Sequence, residues 1–191
     1  MVPDDSTLIQ KLQAGDESAL DELMARYREP IFGFAFRQLY DASAAADVTQ
    51  ETFVRVYLNR AQFKPTGTFR SWLYRIASNL CVDHMRKARR SPTSNVDSTL
   101  DAETGRTILD QMAAPGVTPD EAAARSAEIA ELKAQILLLP QSLREPLVLF
   151  ALEERSQQEC AEILGVSAKA VETKVARARD VLRQRLNRRL R

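Results

Sequence analysis

The sequence has few of the residues that build metal sites, disulfides and nucleophilic active sites. Its 191 residues include one histidine, His84, and two cysteines, Cys81 and Cys160. The cysteines lie far apart, each within an apolar helical pattern, so we expect reduced core thiols. Cys81 and His84 can share a helix face, but a structural metal site takes four ligands, and no other Cys or His lies near them. Since there is also no phosphate-binding glycine loop and no nucleophile beside a histidine, the sequence predicts no enzyme, no cofactor and no metal.

Long apolar runs are missing as well, and the first residues show neither the basic nor the apolar stretch typical of a leader peptide. The chain begins Met-Val-Pro-Asp-Asp, and no apolar run approaches membrane-spanning length. We therefore expect a soluble, cytoplasmic protein without membrane insertion. Glycine is sparse, with six residues, β-branched runs are short, and Ala, Leu, Arg, Glu and Gln dominate. This composition predicts an all-α protein, and the chain length allows two small domains.

Residues 1–92 are predicted to form the first helical domain. Apolar residues recur at helical spacing over 6–39, with a break at Gly15-Asp16, over about 43–59, and over 69–90. A loop at 60–68, which contains Pro65 and Gly67, separates the last two patterns.

Residues 93–125 are predicted to be a flexible, acidic linker. Pro, Ser, Thr, Asp and Gly dominate residues 93–124, which carry six acidic residues against one arginine. Such a segment buries too little apolar surface to offset the entropy of ordering.

Residues 126–191 are predicted to form the second helical domain, which contains a helix-turn-helix. Helices are expected at 126–139 and 143–152, with Ser142 and Glu145 as a capping box. Ser156 and Glu159 form a second capping box at the start of the helix-turn-helix, and Gly165 allows its tight turn. Ser167 then caps the second helix, whose buried stripe is Val171, Val175, Ala178 and Leu182.

The end of the chain is strongly basic. From Ser167 onward there are nine Lys or Arg against Glu172 and Asp180, whereas the whole chain carries a net charge of only +1. A basic helix that follows a helix-turn-helix favours DNA binding, because neutralised phosphates release counterions. A merely solvated, charged helix end is the alternative.

Three motifs together resemble a bacterial RNA polymerase sigma factor of the extracytoplasmic-function (ECF) type. They are DVTQETFVR at 47–55, FRSWLYRIASN at 69–79, and Leu139-Pro140 followed by the helix-turn-helix. The resemblance covers both domains. It implies a protein that binds core RNA polymerase and directs promoter-specific initiation, with polymerase supplying the catalysis.

The resemblance also implies three sites. The core-polymerase site is the polar face of one helix, formed by Asp47, Gln50, Glu51 and Arg55. The −10 promoter site, where aromatic and cationic side chains can hold unpaired bases, comprises Phe63, Arg70, Trp72, Tyr74, Arg75, Asn79, Arg86 and Lys87. The −35 duplex site comprises Ser167, Lys169, Glu172, Thr173, Lys174, Arg177 and Arg179. Trp72 also lies on the apolar stripe of its helix, so we expect it to be half core.

The implied partners are promoter DNA, the clamp helices of the largest polymerase subunit, the flap of the second-largest subunit, and an anti-sigma protein. Two alternatives remain at this point. A stand-alone helix-turn-helix regulator would bind duplex DNA unaided, usually as a dimer. A sigma-like decoy would bind an anti-sigma protein and should lack the basic recognition helix, which this chain has.

Overall fold

The computed structural model describes residues 3–64, 67–90 and 119–189, and within these ranges it contains helices and no strand. The all-α prediction is therefore confirmed. The described residues form eight α-helices: α1 (Asp5–Gln13), α2 (Ser18–Leu39), α3 (Ala42–Asn59), α4 (Phe69–Arg90), α5 (Pro119–Leu137), α6 (Gln141–Leu147), α7 (Gln157–Leu164) and α8 (Ala168–Arg189). A short 3₁₀ turn (Arg60–Gln62) follows α3, and a π-helical turn (Val148–Leu152) follows α6.

Helices α1 to α4 form the N-terminal module. Side-chain caps begin three of them: Asp4 accepts the Thr7 backbone N–H at 2.8 Å, Asp41 that of Ala44 at 2.9 Å, and Thr68 that of Ser71 at 3.1 Å. The break predicted at Gly15-Asp16 is observed, with Gly15 at a φ of +97° between α1 and α2. Apolar residues at spacings of three and four line the buried side of α4, because this spacing keeps them on one helix face. They are Phe69, Leu73, Ala77 and Leu80.

Helices α5 to α8 form the C-terminal module. Helix α5 begins at Pro119, inside the segment that the sequence predicts to be linker, and ends at Leu137. The helix predicted at 143–152 is split into α6 and the π-helical turn. Residues 93–118 of the predicted acidic linker lie outside the described residues.

The capping box predicted at Ser142 and Glu145 is wrong. The N-cap of α6 is Pro140, without a side-chain cap, so Ser142 lies inside the helix. The Glu145 side chain instead accepts a hydrogen bond from the Ser78 hydroxyl of α4. The Glu145 carboxyl group therefore contacts a distant segment of the chain, and it does not cap the α6 backbone as the local pattern predicts.

The helix-turn-helix is confirmed. Ser156 and Glu159 form both hydrogen bonds of the capping box at the start of α7. Gly165 ends α7 in the left-handed region at a φ of +65°, which favours glycine. The stripe of Val171, Val175, Ala178 and Leu182 is buried on α8, and it belongs to one connected apolar core with residues of the N-terminal module.

Replacement of Ser156 with alanine is expected to lower the free energy of unfolding by about 1 kcal/mol, since the first turn of α7 loses its cap. Ser142→Ala is the matched control, because this exposed serine does not cap α6. Its expected cost is below about 0.5 kcal/mol. Urea unfolding followed by circular dichroism measures both variants, and equal losses would contradict this assignment of the caps.

Candidate functional site

The polar face predicted on α3 is present. Asp47, Gln50 and Glu51 are exposed and Arg55 is half-buried. Arg55 Nε lies 2.9 Å from Glu51 Oε1 in a partly exposed ion pair between residues one helical turn apart. The four residues therefore form one continuous polar surface, which we call the α3 face.

An open groove of about 970 Å³ lies between α2 and α3, beside the α3 face. Its apolar lining includes Leu20, Met24, Phe32, Phe53, Val54 and Leu58. Leu58 is 67% exposed and Val54 44% exposed, both unusually high for large apolar side chains. Acidic Glu17, Asp21 and Glu29 and basic Arg28 also line it. An apolar lining with charged groups around it is suited to an amphipathic helix. Sequence analysis missed this groove, although Val54 and Leu58 lie one helical turn apart, off the buried stripe of α3.

Six of the eight residues predicted for the −10 site fall into two groups. Arg70, Asn79, Arg86 and Lys87 are exposed along α4. Phe63 and Trp72 are half-buried with ring centroids 5.3 Å apart, and both rings also pack on Phe69. The prediction that Trp72 is half core is therefore confirmed. The aromatic rings lie near the start of α4, and Arg86 and Lys87 lie near its end.

Tyr74 and Arg75, also predicted for the −10 site, both contact the C-terminal module, although Arg75 is exposed. Tyr74 is fully buried, so the structure does not present it to DNA. Its hydroxyl accepts a hydrogen bond from Arg155 at 2.9 Å and donates to Glu153 at 3.4 Å. Arg75 donates to the backbone carbonyls of Glu162 and Ile163 at the end of α7. Both side chains thus contact the C-terminal module.

The residues predicted for the −35 site lie along the first half of α8. Ser167 caps the helix, accepting the Ala170 backbone N–H at 3.2 Å. Six of the seven predicted residues are exposed, and Lys174 is half-buried. Lys169 pairs with Glu172 at 3.0 Å, whereas Arg179 lies 5.7 Å from the centre of the Phe150 ring. The exposed side of α8 therefore presents cations, a carboxylate and a hydroxyl, which are the groups that contact phosphates and base edges.

One carboxyl group between the modules has a strongly altered pKa. Burial raises the pKa of Glu145 to about 7, against the smaller opposing effects of Lys174 and Arg144. The group faces α4, where Ser78 donates to it and Cys81 lies near enough to feel its charge. Glu145 therefore holds a proton in the folded chain at pH values where an exposed glutamate is ionised.

The stability of the chain is expected to fall as the pH rises from about 5 to 8. Between pH 4.5, the ordinary pKa of a glutamate, and about 7, the folded chain binds a proton at Glu145 that the unfolded chain does not. The free energy of unfolding is therefore highest near pH 4.5, and it falls by about 3 kcal/mol between there and a pH above 7. Urea unfolding at pH 5.5 and 8.0 measures the change. Glu145→Gln should remove most of the difference, and a variant with the pH dependence of the parent would contradict the assignment.

Both cysteine thiols are buried. Burial raises the pKa of Cys81 to about 12 and that of Cys160 to about 11, and both thiols are free. Among residues 3–64, 67–90 and 119–189, no cluster of three or more His, Cys, Asp or Glu side chains is placed to hold a metal ion. The helices of these ranges include none long and apolar enough to cross a membrane.

Comparison with known proteins gives the same class for both modules. The family models Sigma-70 region 2 and Sigma-70, region 4 match residues 23–91 and 127–182. The chain is 33% identical to the ECF RNA polymerase sigma factor SigW of Bacillus subtilis, over 93% of this chain and 94% of that protein. It is also 33% identical to the RNA polymerase sigma-H factor of Pseudomonas aeruginosa, over 93% of this chain and 91% of that protein.

Among solved structures, CnrH in complex with the cytosolic domain of CnrY is similar at a TM-score of 0.68 and 29% identity. The match covers 96% of this chain and 97% of CnrH. Fold, helix-turn-helix and sequence matches together define a sigma-70-type initiation factor. The chain belongs to the ECF RNA polymerase sigma factors, and it directs transcription initiation without being an enzyme itself. This family membership excludes the stand-alone regulator.

Proposed function

We propose that this sigma factor uses three separate surfaces. The α3 face, with the groove beside it, binds the clamp helices of the largest polymerase subunit. The exposed side of α4, with Phe63 and Trp72, captures the unpaired −10 strand. The first half of α8 reads the −35 duplex, while the C-terminal module contacts the flap of the second-largest subunit. The proposed domain limits are 1–92 and 126–191, with the linker at 93–125.

The arrangement of α8 supports this proposal most directly. Lys169, Thr173 and Arg177 are exposed at spacings of four residues, so they form one row along the helix. Ser167 and Gly165 fix the start of this helix relative to α7, as a helix that enters the major groove requires. A sigma-like decoy has no need of this basic row.

For α4, the support comes from chemistry and exposure together. Asn79 offers an amide that can pair with a base edge, and Arg86 and Lys87 can contact phosphates beyond it. Arg86 lies 3.8 Å from Asp83 in an exposed, weak pair that DNA can replace at small cost. The neighbouring rings of Phe63 and Trp72 provide apolar edges for unstacked bases.

The groove between α2 and α3 is also proposed to receive an anti-sigma protein in the cytoplasm. CnrH has been solved with the cytosolic domain of CnrY bound. In this chain, the groove has exposed apolar side chains, Leu58 and Val54, next to acidic ones, Glu17, Asp21 and Glu29. This combination favours a partner that binds as an amphipathic helix with basic residues. Because the groove adjoins the α3 face, an occupant of the groove blocks polymerase from the same surface.

Two weak DNA-binding surfaces on separate modules bind well only when their spacing is fixed. Core polymerase provides that spacing, and each surface then raises the effective concentration of the other. The free chain is therefore expected to bind a promoter fragment weakly and the holoenzyme to bind it tightly.

Fluorescence anisotropy with a labelled promoter fork, which has a duplex −35 region and an unpaired −10 strand, tests the proposal. The holoenzyme should bind the fork at least about a hundredfold more tightly than the free chain, within the range that linked binding allows. Equal affinity of the free chain and the holoenzyme would contradict it.

A further inference from the structure

The side chain of Gln13 joins the end of α1 to the 3₁₀ turn that precedes Phe63. Gln13 Nε2 donates to the backbone carbonyl of Arg60 at 2.7 Å and to that of Phe63 at 3.2 Å. Because a glutamine amide carries two N–H groups, it can donate to both carbonyls at once. The acceptors lie 47 and 50 positions further along the chain, so this is a tertiary contact inside the N-terminal module.

The two carbonyls lie at opposite ends of the turn. The Arg60 carbonyl also accepts the Phe63 backbone N–H at 3.3 Å, the long closing hydrogen bond of the 3₁₀ turn. The Arg60 guanidinium donates to the Tyr57 carbonyl at 2.6 Å, which ties the start of the turn to α3. Gln13 therefore adds a second hydrogen bond at the Arg60 carbonyl and ties the far end of the turn, at Phe63, to α1.

The ring of Phe63 is placed by this backbone. Phe63 follows the turn with an extended backbone, at a φ of −63° and a ψ of 123°, so the helical hydrogen bonds of α3 end before it. The ring is half-buried, with its centroid 5.3 Å from that of Trp72 and 6.2 Å from that of Phe69. The part of the ring that remains exposed is the part that an unstacked base can reach.

Order in this turn before binding favours capture of a base. A loop that is ordered only when its ligand arrives loses conformational entropy at that moment, and contacts that order it beforehand remove part of this cost. Gln13 forms such contacts without being part of any of the three proposed binding surfaces. Its side chain is exposed, so its truncation should cost the fold little.

We propose that Gln13 is a positioning residue for promoter opening: its amide holds the turn at Arg60 and Phe63, so that the Phe63 ring is placed to stack on an unpaired base of the −10 strand. The inference rests on the proposed role of Phe63 in −10 binding. Gln13 acts through Phe63 and does not itself contact DNA. Its effect on DNA affinity therefore requires the Phe63 ring.

A double-mutant cycle with Gln13→Ala and Phe63→Ala in the full-length chain tests this inference. Fluorescence anisotropy measures the affinity of each holoenzyme for a labelled promoter fork with an unpaired −10 strand. Phe63→Ala should weaken binding about tenfold, as for the loss of base stacking on an aromatic ring. Gln13→Ala should weaken it about fivefold in the parent. In the Phe63→Ala background, the effect of Gln13→Ala should be below about 1.5-fold, because the ring that it positions is absent.

Gln13→Glu tests the donor, because it replaces the amide with an acceptor of nearly the same size. It should weaken fork binding at least as much as Gln13→Ala. Gln10→Ala and Gln10→Glu are the matched controls: Gln10 is exposed on the same helix, and within the described ranges its side chain forms no hydrogen bond. Both should bind the fork within about twofold of the parent, since an exposed charge away from the contact is screened.

Two further measurements separate positioning from a general loss of structure. Competition against a labelled sigma factor for core enzyme should give parent-like values for the Gln13 variants, and so should the binding of their holoenzymes to a −35 duplex without an unpaired strand. Circular dichroism verifies that the helices are retained. An equal loss of affinity for the duplex and for the fork would overturn the inference.

Additive losses, in which Gln13→Ala costs as much affinity without the Phe63 ring as with it, would also overturn the inference. So would parent-like binding by both Gln13 variants when Phe63→Ala loses affinity, a result that leaves the proposed −10 site intact. Parent-like fork binding by Phe63→Ala would contradict the proposed role of Phe63 itself, and the positioning role of Gln13 would fail with it.

Discussion

Replacement of Arg177 with glutamate is expected to reduce transcription from a −35-dependent promoter about a hundredfold, since loss of a base or phosphate contact and the new repulsion together cost roughly 3 kcal/mol. Arg177 is exposed on α8, in the row formed with Lys169 and Thr173. The substitution should leave folding unchanged, because the side chain lies opposite the buried stripe. Run-off transcription with saturating core polymerase measures the effect.

Arg183→Glu is the control for Arg177→Glu. It makes the same charge change on the same helix, but Arg183 lies nearer the end of α8 and pairs with Asp180 at 2.9 Å. This variant should lose far less activity, and equally on every promoter, because only long-range attraction to phosphates is weakened. If both variants lose activity to the same extent, α8 contributes net charge rather than specific contacts, and the proposed −35 site is wrong.

Replacement of Glu51 with arginine is expected to weaken binding to core polymerase by a factor of about 30, or roughly 2 kcal/mol, the cost of reversing a charge within an interface. Glu51 lies at the centre of the α3 face, where its partner Arg55 would then meet a second cation. Both side chains are 40% exposed or more, so the free energy of unfolding should change by less than about 0.5 kcal/mol. Competition against a labelled sigma factor for core enzyme measures the affinity.

The control is Glu22→Arg, an exposed position on α2 that does not line the groove. It makes the same charge change in the same module. We expect core binding within twofold of the parent, as for a surface charge outside the contact. A loss in Glu22→Arg that equals the loss in Glu51→Arg would show that the module's overall charge, and not the α3 face, determines the affinity.

The helices could be predicted where the sequence has both a helical periodicity of apolar residues and a capping signal at the helix end. The start of α7 has a serine followed three residues later by a glutamate, and its end has a glycine that allows a left-handed conformation. Both signals act within one turn of helix, so they do not depend on the rest of the fold. Ser142 and Glu145 have the same spacing but do not form a capping box, because the Glu145 carboxyl group contacts α4 instead.

The burial of Tyr74 could be predicted from the apolar periodicity of α4, but the resemblance to a known motif pointed the other way. Tyr74 precedes Ala77 and Cys81 by three and seven residues, a spacing typical of a buried helix face. The resemblance to a promoter-binding motif favoured an exposed tyrosine. In the structure its ring packs edge-on against the Phe34 ring, with the ring centroids 5.3 Å apart. The apolar periodicity therefore predicts the position of Tyr74 correctly.

The contact between the two modules could not be predicted from the sequence. Arg37 and Glu153 are 116 positions apart, and neither lies in a motif. Which cation meets which carboxylate depends on how the two modules pack, and this packing is set by the whole apolar core rather than by any local pattern. The groove between α2 and α3 depends on tertiary packing in the same way, because its walls come from two helices.

Run-off transcription shows whether this chain directs initiation from specific promoters. The purified chain is mixed with core RNA polymerase and a library of promoter templates, and the transcripts are sequenced. We expect transcripts that core enzyme alone does not make, from templates that share a −35 and a −10 element at a fixed spacing. No transcripts beyond those of core enzyme, with a chain that is folded and binds core, would contradict it.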